Sequence, residues 1–364
     1  MTEILNKKFW NFIIQSVVIS SLLFGLIATT NYVIDASEVI RHTVNFQMAQ
    51  LSLAGNTVTV PLNYNERHYQ VAVVEEMKEI PETVVIGSSR GMFLGKEITG
   101  FDDLYNNCVS GACIEDYYAL LGLYYQKYSS MPSRVIIETS PWVFYKDNPE
   151  ARWLENAEYE VAARTFYTLL NSKEINDDLE QENPYLSLYY FQHNSAIFRQ
   201  NGIDAIKKKK VMISTDLSEK AEHSDGTIRY ESKLENKSKE RLAKVKATNG
   251  AVAYENVDKM DGLDADNISE YEKLLDYLKK CETEIIIYMQ PFSDTQCYYI
   301  FDEKANPIFE DVENYLINLG NERGIAIVGG YDARDFNISD EYFIDYMHLD
   351  KAGNKIVWDS SYKQ

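Results

Sequence analysis

The chain has 364 residues, of which 45% are hydrophobic and 25% are charged, and its formal net charge is −20 at pH 7. This length allows a sizeable core to be buried, and the composition is that of a globular protein. The acidic charge argues against a phosphate-binding surface, so we expect no nucleic-acid partner.

The first segment, residues 1–35, has the pattern of a membrane anchor. Residues 9–32 carry no charge and would cross ~30 Å of hydrocarbon as a helix. Lys7 and Lys8 precede them, which predicts a cytoplasmic N-terminus and a body outside the cell membrane. A cleaved signal peptide is the alternative, although the apolar run is longer than a usual signal core. A buried soluble helix is disfavoured, because apolar residues occur on every face.

The rest of the chain divides into a juxtamembrane connector, residues 36–80, and an α/β domain, residues 81–364. Strands are predicted at 83–86, 134–138, 284–289 and 324–328, and helices at 114–128, 269–280 and 310–323. Strands that alternate with helices predict a parallel sheet covered by helices on both faces.

Residues 146–261 interrupt this alternation and are rich in Tyr, Asn, Lys and Glu. We predict a mostly helical insertion that caps a site or meets a partner. For its four lysines, 207–210, we expect a solvated helix end, with docking of an anionic polymer as the alternative. For its aromatic cluster, 185–191, we expect a place in the hydrophobic core, with stacking on sugar rings as the alternative.

A turn of small residues follows the first strand of the predicted domain. The strand Thr83–Ile86 leads directly into Gly87–Gly91, and active sites of open α/β sheets lie at the carboxyl ends of strands. Ser89 is placed to expose its hydroxyl there, while backbone N–H groups receive an oxyanion. A serine in such a turn also commonly caps a helix, so the turn alone does not identify a nucleophile.

The C-terminal region supplies a base and an acid for this serine. Asp345 and His348 lie three residues apart, just before a predicted closing helix. A serine hydroxyl needs a base within hydrogen-bond reach, and the histidine needs a carboxylate on its other ring nitrogen. The remaining histidines precede the domain or lie in the insertion: His42, His68, His193 and His223. We therefore predict Ser89, Asp345 and His348 as the catalytic set.

The cysteines point to neither a metal site nor a disulfide scaffold. The four are Cys108, Cys113, Cys281 and Cys297. They are too few and too scattered for a disulfide framework, although Cys108 and Cys113 are close enough in the chain to pair across a short loop. The sequence has no CxxC motif or Cys/His cluster that would bind zinc. We predict no metal and no cofactor.

Four segments together resemble the SGNH (GDSL-like) hydrolase superfamily, and more closely its DltD-like branch of membrane-anchored extracytoplasmic proteins. These segments are Gly87–Ser89, Asn107–Gly111, Ser140–Phe144 and Asp345–His348. The resemblance implies a three-layer, flavodoxin-like parallel sheet. It also implies an oxyanion hole formed by the N–H groups of Ser89 and Gly111, with the hydroxyl of Ser140 as a further donor. The superfamily usually supplies an Asn near this third position, which this chain lacks.

The same resemblance implies a serine acyltransferase or esterase. It would acylate or deacylate a cell-surface polymer, a teichoic acid or polysaccharide, in partnership with a membrane-bound O-acyltransferase. The sequence does not separate transfer from hydrolysis. The alternative is a catalytically inactive adaptor that binds the acyltransferase or the glycan, which the missing Asn favours.

Overall fold

The computed structural model describes residues 2–35, 40, 43–61, 64–145, 150–170, 183–206, 211–230, 240, 262–302 and 308–362, without the side chains of 2–8 and 299. The α-helices are α1 (Thr2–Ile34), α2 (Thr43–Leu53), α3 (Glu66–Glu76), α4 (Lys96–Thr99), α5 (Ile114–Tyr128), α6 (Ala157–Leu169), α7 (Leu188–Asn201), α8 (Ala265–Lys280), α9 (Asp294–Cys297), α10 (Ile308–Arg323) and α11 (Lys351–Ser361). The strands are β1 (Val58–Thr59), β2 (Thr83–Ile86), β3 (Leu104–Asn106), β4 (Arg134–Glu138), β5 (Ala221–Glu222), β6 (Ile228–Arg229), β7 (Glu284–Met289) and β8 (Ala326–Gly329).

Five parallel strands form the central sheet, in the order β3-β2-β4-β7-β8. Strands β2, β4 and β7 are nearly continuous apolar runs, as expected of strands covered on both faces. The chain moves from β2 to β3, returns past β2 to β4, and continues outward. With crossovers of the usual right hand, this order places helices on both faces of the sheet. Helix α11 packs against α4 and β8, whereas α5 packs against α8. The predicted α/β class with a parallel sheet is confirmed.

Most predicted elements of the sheet layer are found close to their expected bounds. Strands β2, β4 and β7 and helix α5 have the bounds predicted. Helix α8 begins earlier than expected, because the side chain of Asp264 caps it by accepting the N–H of Asn267 at 2.9 Å. Strand β8 begins later, since Gly324 and Ile325 complete the turn out of α10. The edge strand β3 was not predicted, because three residues show no periodicity.

The predicted connector, residues 36–80, is wrong for its described stretches 43–61 and 64–80, which belong to the folded body. Met48 of α2 and Tyr69 of α3 are fully buried in the same hydrophobic core as the sheet. Arg67 forms a buried ion pair with Asp116 of α5 at 2.7 Å. Strand β1 pairs with β5 in a small antiparallel sheet, β1-β5-β6. The α/β body therefore begins well before residue 81.

The described parts of the 146–261 insertion contain strands as well as helices. Helix α6 packs against α5, strands β5 and β6 extend the small sheet, and α7 packs against α1. In the aromatic cluster, Tyr190 is buried, but Leu188 and Tyr189 are 61% and 71% exposed. The expected core position of the cluster is therefore wrong for its N-terminal part. The lysine run 207–210 lies outside the described residues.

Helix α1 extends from the body and is largely uncovered. Its segment Phe9–Ile34 has a mean hydropathy of 2.1 and is long and apolar enough to span a membrane. None of its most apolar stretch is buried, which is not the packing of a core helix in a soluble protein. Only near its C-terminal end do side chains such as Asn31 become buried.

Candidate active site

The turn after β2 leaves the hydroxyl of Ser89 available. Gly87 has a φ of +150°, and a Cβ there would lie 2.5 Å from Cβ of Glu138, so the turn requires glycine. The hydroxyl of Ser88 accepts the N–H of Arg90 at 3.2 Å and caps the 3₁₀ turn Ser89–Gly91. Because Ser88 performs the capping, the partly exposed Ser89 is not needed for it.

Three side chains from opposite ends of the chain meet at this turn. The Oγ of Ser89 lies 2.8 Å from Nε2 of His348. The Nδ1 of His348 lies 3.0 and 2.9 Å from the two carboxylate oxygens of Asp345. An ionised carboxylate only accepts hydrogen bonds, so Nδ1 carries the hydrogen and a neutral ring presents a bare Nε2 to the serine hydroxyl. The arrangement is that of a base positioned to remove a proton from Ser89.

A short closed loop, residues 343–349, holds the side chains of Asp345 and His348 in place, and we call it the histidine loop. Phe343 and Leu349 form a backbone bridge at its base. One oxygen of Asp345 accepts the N–H groups of Met347 and His348, each at 2.9 Å. Burial alone would raise the pKa of the Asp345 carboxyl, but the hydrogen bond and charge of His348, with the two backbone donors, hold it below its usual value. Asp345 is therefore ionised at neutral pH.

The loop after β3 carries Gly111 and runs beside the turn Gly87–Gly91, which we call the serine turn. The N–H of Val109 donates to the carbonyl of Gly87 at 2.9 Å, which brings the loop to the edge of the sheet where Ser89 lies. Gly111 has a φ of +61°, a conformation that favours glycine. Within the described ranges, the backbone N–H groups of Ser89 and Gly111 have no protein acceptor. Both remain candidates for oxyanion donors.

Two charged residues that the sequence reasoning missed fix this loop. The carboxylate of Glu66 accepts the N–H of Ser110 at 2.6 Å and its hydroxyl at 2.9 Å. The guanidinium of Arg152 donates to the carbonyl of Ser110 at 2.8 Å. These contacts restrain the residue before Gly111. No local pattern marks Glu66 or Arg152, because both reach the loop from outside the sheet.

The hydroxyl of Ser140 is engaged away from the oxyanion position. It donates to Oε1 of Glu138 at 2.6 Å and lies 3.1 Å from the hydroxyl of Ser88. The other oxygen of Glu138 accepts the N–H of Ser88 at 2.7 Å. A hydroxyl has one hydrogen to donate, so in this geometry Ser140 does not supply the additional donor that the resemblance implies. Buried Glu138 takes that hydrogen because a buried carboxylate needs donors.

Gln290, directly after β7, joins the serine turn to the histidine loop. Its side-chain amide donates to the carbonyl of Arg90 at 2.6 Å and to Oδ1 of Asn354 at 2.9 Å. Its side-chain oxygen accepts the N–H of Leu349 at 3.4 Å, and Asn354 donates to the carbonyl of Leu349 at 3.1 Å. Both amide side chains are fully buried. The signal in the sequence was a polar residue at the carboxyl end of a buried parallel strand.

Arg90, in the serine turn, makes a second contact between this turn and the end of β7. Its guanidinium is fully buried, lies 3.8 Å from the ring centre of Phe292, and donates to the backbone carbonyl of Gln290. A cation over an aromatic face is stabilised by the ring quadrupole. Arg90, which follows Ser89 in the chain, is thus held by the end of β7.

Cys108 and Cys113 are free thiols rather than a disulfide. Burial raises the pKa of both thiols, and the nearby carboxylates raise it further. Since the thiolate is the reactive form, neither residue is suited to act as a nucleophile. Ser89 is the nucleophile that the geometry favours.

Comparisons of the chain with protein-family models and with curated proteins gave no match. The function of the chain is therefore inferred from the arrangement of Ser89, His348 and Asp345, and from the order of the elements that carry them.

Proposed function

We propose that this protein is a membrane-anchored, extracytoplasmic serine acyltransferase or esterase of SGNH type. One observation carries the proposal: Ser89 and His348, 259 positions apart, lie within 2.8 Å through Oγ and Nε2, with Asp345 on the other ring nitrogen. A serine becomes nucleophilic near neutral pH when a base accepts its proton and a carboxylate orients that base.

The position of these residues in the sheet supports the SGNH assignment. Ser89 follows β2, the first strand of the parallel sheet, and Asp345 and His348 share one loop after its last strand, β8. An α/β-hydrolase would place its acid and its histidine on separate loops, with further strands before the serine. The serine also lies where the strand order reverses between β2 and β4, the usual ligand position in open α/β sheets.

The proposed reaction passes through an acyl-enzyme. His348 removes the proton of Ser89 as the hydroxyl oxygen attacks the acyl carbonyl, and the N–H groups of Ser89 and Gly111 stabilise the oxyanion. When the tetrahedral intermediate collapses, His348 donates that proton to the departing alcohol or thiol. His348 then deprotonates an acceptor hydroxyl or water, which attacks the acyl group, and returns this proton to Oγ of Ser89 as the acyl–serine bond breaks. Asp345 stabilises the imidazolium in both halves.

The membrane, the acceptor and the partner belong to the same proposal. Helix α1 would span the membrane, with Lys7 and Lys8 retaining its N-terminus in the cytoplasm. By the resemblance, a membrane-bound O-acyltransferase would deliver the acyl group, and the acceptor would be a teichoic acid or polysaccharide outside the membrane. Hydrolysis of such esters uses the same steps with water as the acceptor.

Hydrolysis of an activated acyl ester tests the proposal. The full-length protein in detergent should release the alcohol above background, and Ser89→Ala should abolish this rate. Ser360→Ala, an exposed serine on α11, is the matched control and should retain the wild-type rate. Equal background rates for the wild type and Ser89→Ala would contradict the enzyme assignment.

A catalytically inactive adaptor is the second candidate, and one observation favours it. Because Ser140 donates its hydroxyl hydrogen to Glu138, two backbone N–H groups remain as oxyanion donors. Losing one oxyanion donor costs about 10²–10³ in rate. An adaptor would bind the acyltransferase or the glycan equally well as wild type and as Ser89→Ala, with no ester turnover by either.

A further inference from the structure

A cluster of apolar side chains is exposed beside the C-terminal end of α1. We call Tyr185, Leu186, Leu188 and Tyr189 the apolar patch; each side chain is more than 40% exposed. Four exposed apolar residues within five positions are not the scattered single residues found on any soluble surface. The aromatic cluster noted in the sequence therefore has an exposed half that the proposed chemistry does not use.

Hydrogen bonds attach this patch to a single residue of α1, Asn31. The side-chain amide of Asn31 donates to the carbonyls of Pro184, Tyr185 and Ser187 at 2.9, 3.2 and 3.1 Å. Asn194 donates to Oδ1 of Asn31 at 3.2 Å. Because these contacts all reach one buried residue of α1, the patch cannot move along the helix independently.

The position of Asn31 corresponds to the outer boundary of a bilayer. The exposed aromatic residues Trp10 and Tyr32 mark the two ends of the apolar segment, and 22 residues of helix rise about 33 Å. The hydrocarbon core is about 30 Å thick, and Trp and Tyr concentrate at its two interfaces. With Trp10 at the inner interface, Asn31 and the apolar patch lie at the outer one.

Helix α7 is joined to the same end of α1. The phenol of Tyr190 donates to Oδ1 of Asp35 at 2.7 Å, and the amide of Asn194 donates to Oδ1 of Asn31 at 3.2 Å. These contacts hold α7, and the part of the patch at its N-terminus, at the C-terminal end of α1.

We propose that the apolar patch inserts into the outer interfacial layer of the lipid bilayer and forms a second membrane contact beside α1. Asn31, which is hydrogen-bonded to the patch, adjoins the exposed Tyr32 at the C-terminal end of the apolar segment Phe9–Ile34, and this position is the reason for choosing lipid as the occupant. Tyr and Leu suit this layer, where an apolar ring or chain is buried while the phenol oxygen meets water. Two contacts fix the orientation of the body above the membrane, whereas a single helix would leave it free to swing. This inference depends on the proposed membrane anchorage by α1.

Nitroxide labels on single cysteines test this contact in the full-length protein. In a Cys281→Ser background, labels would be placed by Leu188→Cys in the patch, by Leu22→Cys in α1 and by Leu217→Cys as the control. Leu217 is 80% exposed and lies in the loop before β5. The protein would be reconstituted in vesicles of phosphatidylcholine and phosphatidylglycerol, and each label probed with oxygen, which partitions into lipid, and with a water-soluble nickel chelate.

The labels at 22 and 188 should both show an oxygen-to-nickel accessibility ratio several-fold above that of the label at 217. A ratio at 188 equal to that at 217, with a lipid-like value at 22, would overturn the patch contact and leave the anchorage intact. Aqueous values at both 22 and 188 would overturn the anchorage and the patch contact together. A label at 188 that is immobilised and inaccessible to both probes would show a protein partner on the patch and also overturn the lipid contact.

Discussion

Replacing Gln290 by glutamate tests the two hydrogen bonds that its side-chain amide donates between the turn carrying Ser89 and the loop carrying His348. The substitution preserves the shape of the side chain but removes the donors to the carbonyl of Arg90, at 2.6 Å, and to Oδ1 of Asn354, at 2.9 Å. A carboxylate would then face two buried acceptors. Arg90 and Leu349 adjoin Ser89 and His348 in the chain, so a shift at Gln290 reaches both reacting groups.

We expect losses of both stability and activity. A buried acceptor left without its donor costs about 1–3 kcal/mol, and Gln290→Glu should lower the free energy of unfolding by at least that amount, because it places a carboxylate against two buried acceptors. A displacement of about 1 Å in a reacting group can cost about 10²-fold in rate. We therefore expect kcat for an activated acyl ester to fall by about 10²-fold with little change in KM, since substrate binding is not altered.

Steady-state kinetics and circular-dichroism melting of the full-length protein would measure both effects. Asn194→Ala is the matched control, because Asn194 is also a fully buried amide but contacts Asn31 instead of the loops that carry Ser89 and His348. It should lower the melting temperature without lowering kcat. If Gln290→Glu lowered the melting temperature and left kcat at the wild-type value, Gln290 would be a structural residue only.

Three further substitutions give distinct results. Asp345→Asn should lower kcat by about 10⁴-fold, because an amide favours the wrong tautomer of His348. Steady-state kinetics would measure this loss, and a loss in kcat below about tenfold would count against the role assigned to Asp345. Ser140→Ala should lower the unfolding free energy, since it leaves an oxygen of Glu138 unpaired, but change kcat by less than the 10²–10³ expected for an oxyanion donor. Burial raises the pKa of Glu222 in the native state well above its usual 4.5, so the native state binds this proton more tightly than the unfolded state does. As the pH rises above 4.5, the free energy of unfolding of the wild type therefore falls by up to about 1.4 kcal/mol per pH unit. Glu222→Gln should therefore raise the melting temperature more at pH 8 than at pH 5; an equal change at both pH values would contradict the shift.

The sheet and its principal helices were predictable because their signals are local. Strands β2, β4 and β7 are apolar, largely β-branched runs, and α5 is an unbroken helical run of 15 residues, most of them buried. Such elements have one stable place in an α/β layer, so the parallel sheet followed directly. The start of α8 was missed because Asp264, which caps the helix by accepting the N–H of Asn267, was not recognised as a capping residue.

The packing of residues 43–76 was not predictable in the same way. Helix α3 buries Arg67, His68 and Gln70 as well as its apolar residues, so its sequence has the composition of an exposed segment. Arg67 is tolerated in the core because Asp116 neutralises it. That partner is 49 positions away, and a single sequence gives no indication of the pairing.

The meeting of Ser89, Asp345 and His348 was predictable, but the residues that support it were not. Ser89, Asp345 and His348 each carry a local signal: a glycine turn after a strand, or a three-residue spacing. Gln290 and Glu66 act through contacts that depend on how distant loops meet. The structure brings the three predicted side chains together, while their catalytic role remains a prediction.

The central claim, that Ser89 is activated by His348, is tested most directly by a fluorophosphonate probe. The full-length protein would be treated at neutral pH, digested, and examined by mass spectrometry. We predict one phosphonyl adduct, on Ser89 and not on the neighbouring Ser88, and its loss in His348→Ala. No adduct on Ser89 in folded protein, or equal labelling with and without His348, would contradict the account.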